Sequence, residues 1–216
     1  MTQQGTNIWF TSDTHFRHKN IIKHCPERQQ AGGFEADDMD SHDKWVMEIW
    51  NNTVSKNDTV YIIGDFSFAT TEWTKKLCGK LNGRKILILG NHDGSSDHLE
   101  GYFKEIKQMK LQTFKKSVFP FLEEDFQVFM CHYPMVTWNA KHFGSVNVHG
   151  HCHGRLNSFN QESTDLRVDV GFDSDAINKF GLVSLEELYL YVKKKTGGET
   201  LIRYASDKKN EKEMVV

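Results

Sequence analysis

The stretch Ile86-Leu87-Ile88-Leu89-Gly90-Asn91-His92-Asp93 decides the fold, because a fully apolar run breaks at a glycine into three consecutive side chains able to bind metal or move protons. Runs of about four to six apolar residues, rich in Ile and Val and closed by turn residues, read as buried strands rather than helices. Working outward, the same design recurs. Ile8–Ser12 leads into Asp13-Thr14-His15, Val60–Ile63 into Gly64-Asp65, Val128–Cys131 into His132, and Val146–His149 into Gly150-His151-Cys152-His153. Strands of one sheet that stop at a common edge would gather these Asp, Asn and His side chains, and that edge is where open α/β sheets keep their active sites.

The rest of the chain sets bounds on this reading. At 216 residues and 38% apolar content it can bury one core, so one domain is expected over residues 1–216, with frayed ends at 1–6 and 206–216. A net charge of -2 offers no bulk attraction for nucleic acid, and the basic stretch Lys104–Lys116 reads as a solvated face. No apolar run approaches the roughly 20 residues of a membrane span. The segment Met1–Asn7 is polar, so a cytoplasmic protein is expected. Cysteines 25, 78, 131 and 152 have no paired spacing, which predicts reduced thiols.

Between the apolar runs, a long loop near the site is expected over Phe16–Ala36, with Gly32-Gly33 inside it. Met39, Val46, Ile49 and Trp50 predict a helix from about Ser41 to Asn52, and Trp73, Leu77 and Leu81 mark a second that Asn82-Gly83 stops. The alternation of strand, helix and strand is that of a parallel unit. A third helix is expected over Asp97–Lys107, with Leu99, Phe103 and Ile106 inward. Leu111–Phe114, Val118–Leu122 and Phe126–Cys131 then read as antiparallel strands, and Leu166–Val170 and Leu201–Tyr204 as further strands. Ser184-Leu185-Glu186-Glu187 is a capping box opening a helix to about Lys195.

The strand-end residues make a mixed donor set. His15, His132, His151 and His153 offer nitrogens, Asp13 and Asp65 charged oxygens, and Asn91 a neutral carbonyl oxygen. Such a set suits Mn, Fe, Zn or Ni better than Ca or Mg, and it is large enough to divide between two ions. Two dications at the about 3.5 Å spacing of two-metal sites repel by about 19 kcal/mol at an effective dielectric of about 20, so bridging anions are required. Two carboxylates and a bridging hydroxide would leave a single residual positive charge, which attracts phosphate and favours attack at phosphorus.

The ordered motifs Asp-x-His, Gly-Asp, Gly-Asn-His-Asp, His and Gly-His-x-His, lying between residues 13 and 153, resemble the calcineurin-like metallophosphoesterase family, in particular its small single-domain bacterial and phage members. The resemblance implies an α/β fold, a two-sheet β-sandwich of mixed strands flanked by helices in four layers. It implies Asp13, His15 and His153 on one metal, Asp65 as the bridge, and Asn91, His132 and His151 on the second. Manganese is the foremost candidate metal. His92 would be the general acid, oriented by Asp93. The phosphoprotein phosphatases of that superfamily extend the second motif to Gly-Asp-x-x-Asp-Arg-Gly, whereas this chain reads Gly64-Asp65-Phe66-Ser67-Phe68. Without the arginine, a phosphodiesterase acting on a small or nucleotide-type substrate is the expected activity; a phosphomonoesterase or protein phosphatase is the alternative, and a non-catalytic metal-binding scaffold a third.

Several residues carry two readings. Arg17 and His18 are candidates for substrate contact or for an exposed loop, and Trp138 and His142 for a pocket wall, Trp138 by stacking on a base. Asp169 and Asp173, flanking Gly171, either support the site or serve turn chemistry. Cys152, between two ligands on extended backbone, is expected to face away. His24, His42 and His98 read as structural or exposed, and His149 as packed in a strand.

Overall fold

The computed structural model describes residues 6–94 and 99–213, with side chains described to Asp207. Two sheets face each other. The first has the order β4-β3-β2-β1-β9 and the second β5-β6-β7-β8. In the first, β1 (Ile8–Thr11), β2 (Thr59–Ile62), β3 (Arg84–Ile88) and β4 (Glu105–Lys107) run parallel, while β9 (Val183–Ser184) pairs antiparallel with β1. In the second, β5 (Met109–Phe114) and β6 (Phe126–Cys131) are antiparallel, and β6, β7 (Val146–His149) and β8 (Arg167–Asp169) are parallel.

Side-chain alternation along each strand explains the layers. Tyr61, Ile63, Ile86 and Ile88 face Val128, Met130, Val146, Val148 and Val168 across the sandwich, and α6 (Leu185–Lys195) adds Leu188 and Val192 to this core. The intervening Val60, Ile62 and Leu87 turn to the other face of the first sheet. There they meet Val46 and Trp50 of α3 (Met39–Thr53) and Leu77 and Cys78 of α4 (Thr71–Lys80). Strands buried on both faces are apolar at every position, which is why these runs carry no polar alternation. On the outer face of the second sheet, Asn160 of α5 (Asn157–Glu162) hydrogen-bonds His149 at 3.0 Å and Arg167 at 3.3 Å. His149 is therefore a packed residue with its partner on the side away from the other sheet.

The capping box stands: Ser184 accepts from Glu187 N while the Glu187 carboxylate accepts from Ser184 N. Elsewhere the structure corrects the expectations. Phe16–Ala36 holds two short helices, α1 (Ile21–His24) and α2 (Glu27–Gly32), too brief to show a helical period and closed by Gly33 at φ 65°. Of the helix expected over Asp97–Lys107, residues 97 and 98 lie outside the described region, and Glu105–Lys107 is the edge strand β4, paired with Ile86–Ile88. Gly101, at φ +88°, breaks any helix before it. Val118–Leu122 forms turns rather than a strand, since Pro120 has no N–H for a ladder. Leu201–Tyr204 opens a helix, α7 (Leu201–Glu213), whose first N–H is met by the Glu124 carboxylate at 3.1 Å. Residues 206–213 continue that helix.

Candidate metal centre

Every parallel strand at the centre of the two sheets ends at one edge. From the first sheet, β1 delivers Asp13 and His15, β2 delivers Asp65, and β3 delivers Asn91 and His92; from the second, β6 delivers His132, and β7 delivers His151 and His153. The backbone there is bent sharply. Asp13, His15, Asp65, His151 and His153 all have φ between 50° and 68°, a left-handed region that costs a non-glycine residue about 1–3 kcal/mol and clusters at functional sites. Two glycines make room for the crowding. A Cβ on Gly90 would lie 2.3 Å from Asp65 Oδ1, and one on Gly150 would lie 2.3 Å from Asp13 Oδ2.

Asp13, His15 and His153 bring ligand atoms within 4.8 Å of one another, and so do Asp65, His132 and His151. Asp65 Oδ2 lies between the two groups, 3.8 Å from His15 Nε2 and 3.5 Å from His132 Nε2. Asn91 Oδ1 is 3.2 Å from His132 Nε2. His132 Nδ1 is 2.7 Å from the Ile63 carbonyl, so donation there leaves Nε2 as the nitrogen that could hold a metal. His153 repeats the arrangement with Nδ1 against Asp173 Oδ2 at 2.6 Å.

Buried polar atoms test whether this pocket fits metal ions. Asp13 Oδ1 and both ring nitrogens of His15 are buried without a hydrogen-bond partner, a costly state that a coordinated cation relieves. Burial is the main cause that pushes the Asp13 carboxyl up to about 6 and, joined by the charge of Arg28, the His15 imidazole down to about 2. Burial opposes charge on Asp65 as well, yet the hydrogen bond and charge of His132 hold its carboxyl down at about 2. Against the same burial, the Asp65 hydrogen bond holds His132 up at about 9, and Asp173 holds His153 up at about 10. The donor set thus asks for positive charge at two points, one by Asp13 and one by Asp65, and fits two divalent ions.

Asp93 has a task different from the one expected of it. Its carboxylate accepts from the N–H groups of Asp65 (2.9 Å), Phe66 (2.8 Å) and Gly90 (2.7 Å), so it clamps the two ligand-bearing loops together rather than orienting the His92 ring. His92 is exposed, and its own N–H donates to Asp65 Oδ1 at 2.9 Å. His18 reaches the site and stacks on Phe68. Arg17 does not, being paired to Asp40 and, at 3.5 Å, to Asp43. Trp138 is only 8% exposed, packed on Phe129 and Cys131 with Nε1 donating to Ser145, and it has no face left for a base. His142 lies exposed on a short 3-10 helix, Lys141–Phe143, and no described contact brings it to the ligands. Cys131 is buried beside Trp138, and Cys152 joins neither ligand group.

Three residues escaped the sequence reading. Tyr133, 45% exposed, sets its ring 4.7 Å from that of His151, and Phe68 packs on His92. Arg28, 0% exposed, is the third. It donates to both carboxylate oxygens of Asp173 (2.7 and 2.6 Å) and to the carbonyls of Asp13 (2.6 Å) and Thr14 (3.0 Å). A chain of contacts therefore runs from α2 through Asp173 to His153, and Cys25 Sγ lies 3.5 Å from the same His153 nitrogen. Cys25, His153 and Asp173 also approach one another closely, but the guanidinium between them and α2 disfavours a cation there. Removing one partner of a buried ion pair leaves an uncompensated charge, so Arg28→Met is expected to cost about 3–5 kcal/mol in urea unfolding of the metal-free protein. A loss below about 1 kcal/mol would mean that water reaches and satisfies Asp173.

A family model described as calcineurin-like phosphoesterase matches residues 6–173. The chain belongs to the calcineurin-like phosphoesterase family. It is 30% identical to the Gene 66 protein of Mycobacterium phage L5 over 207 residues, covering 85% of this chain and 93% of that protein. An uncharacterized protein of Methanocaldococcus jannaschii, MJ1445, is 36% identical over 88 residues, 40% of this chain and 46% of that one. Among solved structures, the protein of unknown function AQ665 from Aquifex aeolicus superposes with a TM-score of 0.61 at 23% identity, over 85% of this chain and 98% of that one, a likeness of fold. The two mixed sheets with flanking helices are the architecture of this phosphoesterase domain, and the family implies divalent metal ions and a phosphoester substrate. Among the described residues no helix is long and apolar enough to cross a membrane.

Proposed function

We propose that the protein is a dinuclear metal-dependent phosphodiesterase acting on a small or flexible phosphodiester of nucleotide type, with manganese as the foremost metal. The observation that supports this reading is the position of Asp65 Oδ2, 3.8 Å from His15 Nε2 and 3.5 Å from His132 Nε2, within reach of donors from both groups. Asp13, His15 and His153 would hold one ion, Asn91, His132 and His151 the other, and Asp65 both. Two ions held there supply charge to the phosphoryl oxygens and an acidified water as nucleophile near neutral pH. The chain's own contribution to bond cleavage is His92. Exposed at the rim, its imidazole donates a proton to the oxygen that leaves.

Two arginines favour a diester over a monoester. A monoester carries a second negative charge, and neither Arg17, paired with Asp40 and Asp43, nor Arg28, buried on Asp173, is free to hold it. The test is the ratio of initial rates on bis-p-nitrophenyl phosphate and p-nitrophenyl phosphate, with protein stripped by chelator and refilled with manganese. A ratio well above one is expected. A ratio below one, with clear monoester turnover, would replace this reading by a phosphatase. No turnover on either with two equivalents of metal bound would favour a binding scaffold, a reading that the retention of His92 argues against.

A further inference from the structure

The side chain of His92 has a job that demands a fixed place, yet it stands at an exposed rim. Its main chain is anchored through His92 N to Asp65 Oδ1. Its ring is another matter: among the described residues it is met by rings and not by a hydrogen-bonding side chain. Phe68 lies 4.6 Å away between centroids, tilted by 36°. The His18 ring is stacked on Phe68 at 3.9 Å and 5°, close to face-to-face contact, and its centroid lies 6.2 Å from that of His92, so it packs beside the pair. His15 stands 5.4 Å from Phe68 and 6.1 Å from His92, which closes the group.

Phe68 and His18 are both held by backbone. Phe68 N donates to the Phe16 carbonyl at 2.8 Å, and His18 N donates to the His15 carbonyl at 3.1 Å. The loop after β2 therefore carries a metal-ligand candidate, Asp65, and three residues later the ring that meets His92. At that position the phosphoprotein-phosphatase motif has an acid, and this chain has a phenyl ring. A ring wedged at one side removes side-chain rotamers that an exposed histidine would otherwise sample. It does so without a partner that competes for the imidazole's protons.

We propose that Phe68, steadied by the stacked ring of His18, is a positioning residue that holds the His92 imidazole where it can protonate a leaving oxygen. The inference rests on the acid role given to His92 above. Displacement of a reacting group by about 1 Å can cost about 10²-fold, and the loss should appear only where proton donation matters.

The experiment compares methyl p-nitrophenyl phosphate, whose nitrophenoxide leaves readily unprotonated, with methyl phenyl phosphate, whose phenoxide needs the proton. His92→Asn should slow the phenyl ester far more than the nitrophenyl ester. Phe68→Ala should reproduce that selective loss in kcat, about 10- to 100-fold on the phenyl ester, with KM and metal content as in the unaltered protein. Phe68→Leu, which keeps most of the buried volume and guards against a folding defect, should share the selective loss, and Phe68→Tyr should restore the rate. Equal slowing of both esters by Phe68→Ala and Phe68→Leu, or none, while His92→Asn remains selective, would overturn the inference alone. If His92→Asn is itself unselective, the acid role falls and the inference falls with it.

Discussion

Asp65→Asn is expected to lower metal affinity by at least about 100-fold, the upper end of what loss of an outer-shell partner costs a metal site, because a shared ligand weakens two ions at once. The argument is electrostatic. Two dications about 3.5 Å apart repel by about 19 kcal/mol at an effective dielectric of about 20, and a neutral amide offsets none of it. The same change strips His132 of the carboxylate that its Nε2 faces at 3.5 Å. Metal content measured after gel filtration should fall from two equivalents to one or fewer, and turnover should fall with it. Two tightly held equivalents in the variant would contradict the bridging assignment.

The second large effect separates chemistry from binding. His92→Asn keeps the size and polarity of the side chain but cannot deliver a proton. General acid catalysis contributes about 10²- to 10⁴-fold, so kcat on a poor-leaving-group ester such as methyl phenyl phosphate should drop by that range. Since the His92 ring belongs to neither ligand group, metal content should stay at the unaltered level. An unchanged rate on that ester would remove His92 from the reaction, and a lost metal would make it a ligand.

Much of the centre was legible because ligands at strand ends are written in the sequence as an apolar run, a turn and a donor. Asp13, His15, Asp65, His132, His151 and His153 come together as that grammar requires, and Asn91 lies beside His132. The supporting shell was not legible, since it depends on contacts between residues distant along the chain. Arg28 and Asp173 meet across 145 positions, and nothing in the six-residue α2 announces that its arginine is buried. Asp93 was placed in the site by its motif, but its three backbone partners are a property of loop geometry. Trp138 was read as a pocket wall from loop composition, whereas burial on the outer face of the second sheet decides its role. The strand β4 looked helical because Leu99, Phe103 and Ile106 fit a 3.6-residue period, a pattern that pairing with β3 overrode.

The proposed ligands are divided between the two sheets. Asp13, His15, Asp65 and Asn91 ride on the first, and His132, His151 and His153 on the second. Any ion shared by donors from both is a rivet through the sandwich, fastening at one rim two layers that otherwise meet mainly through the apolar core. Such an ion binds the closed sandwich and not the separated layers, so its concentration becomes a control on how long the domain stays shut. If the proposed ions sit there, the cofactor is part of the architecture as much as of the chemistry, and a cell that withdraws metal would slacken the molecule while silencing it.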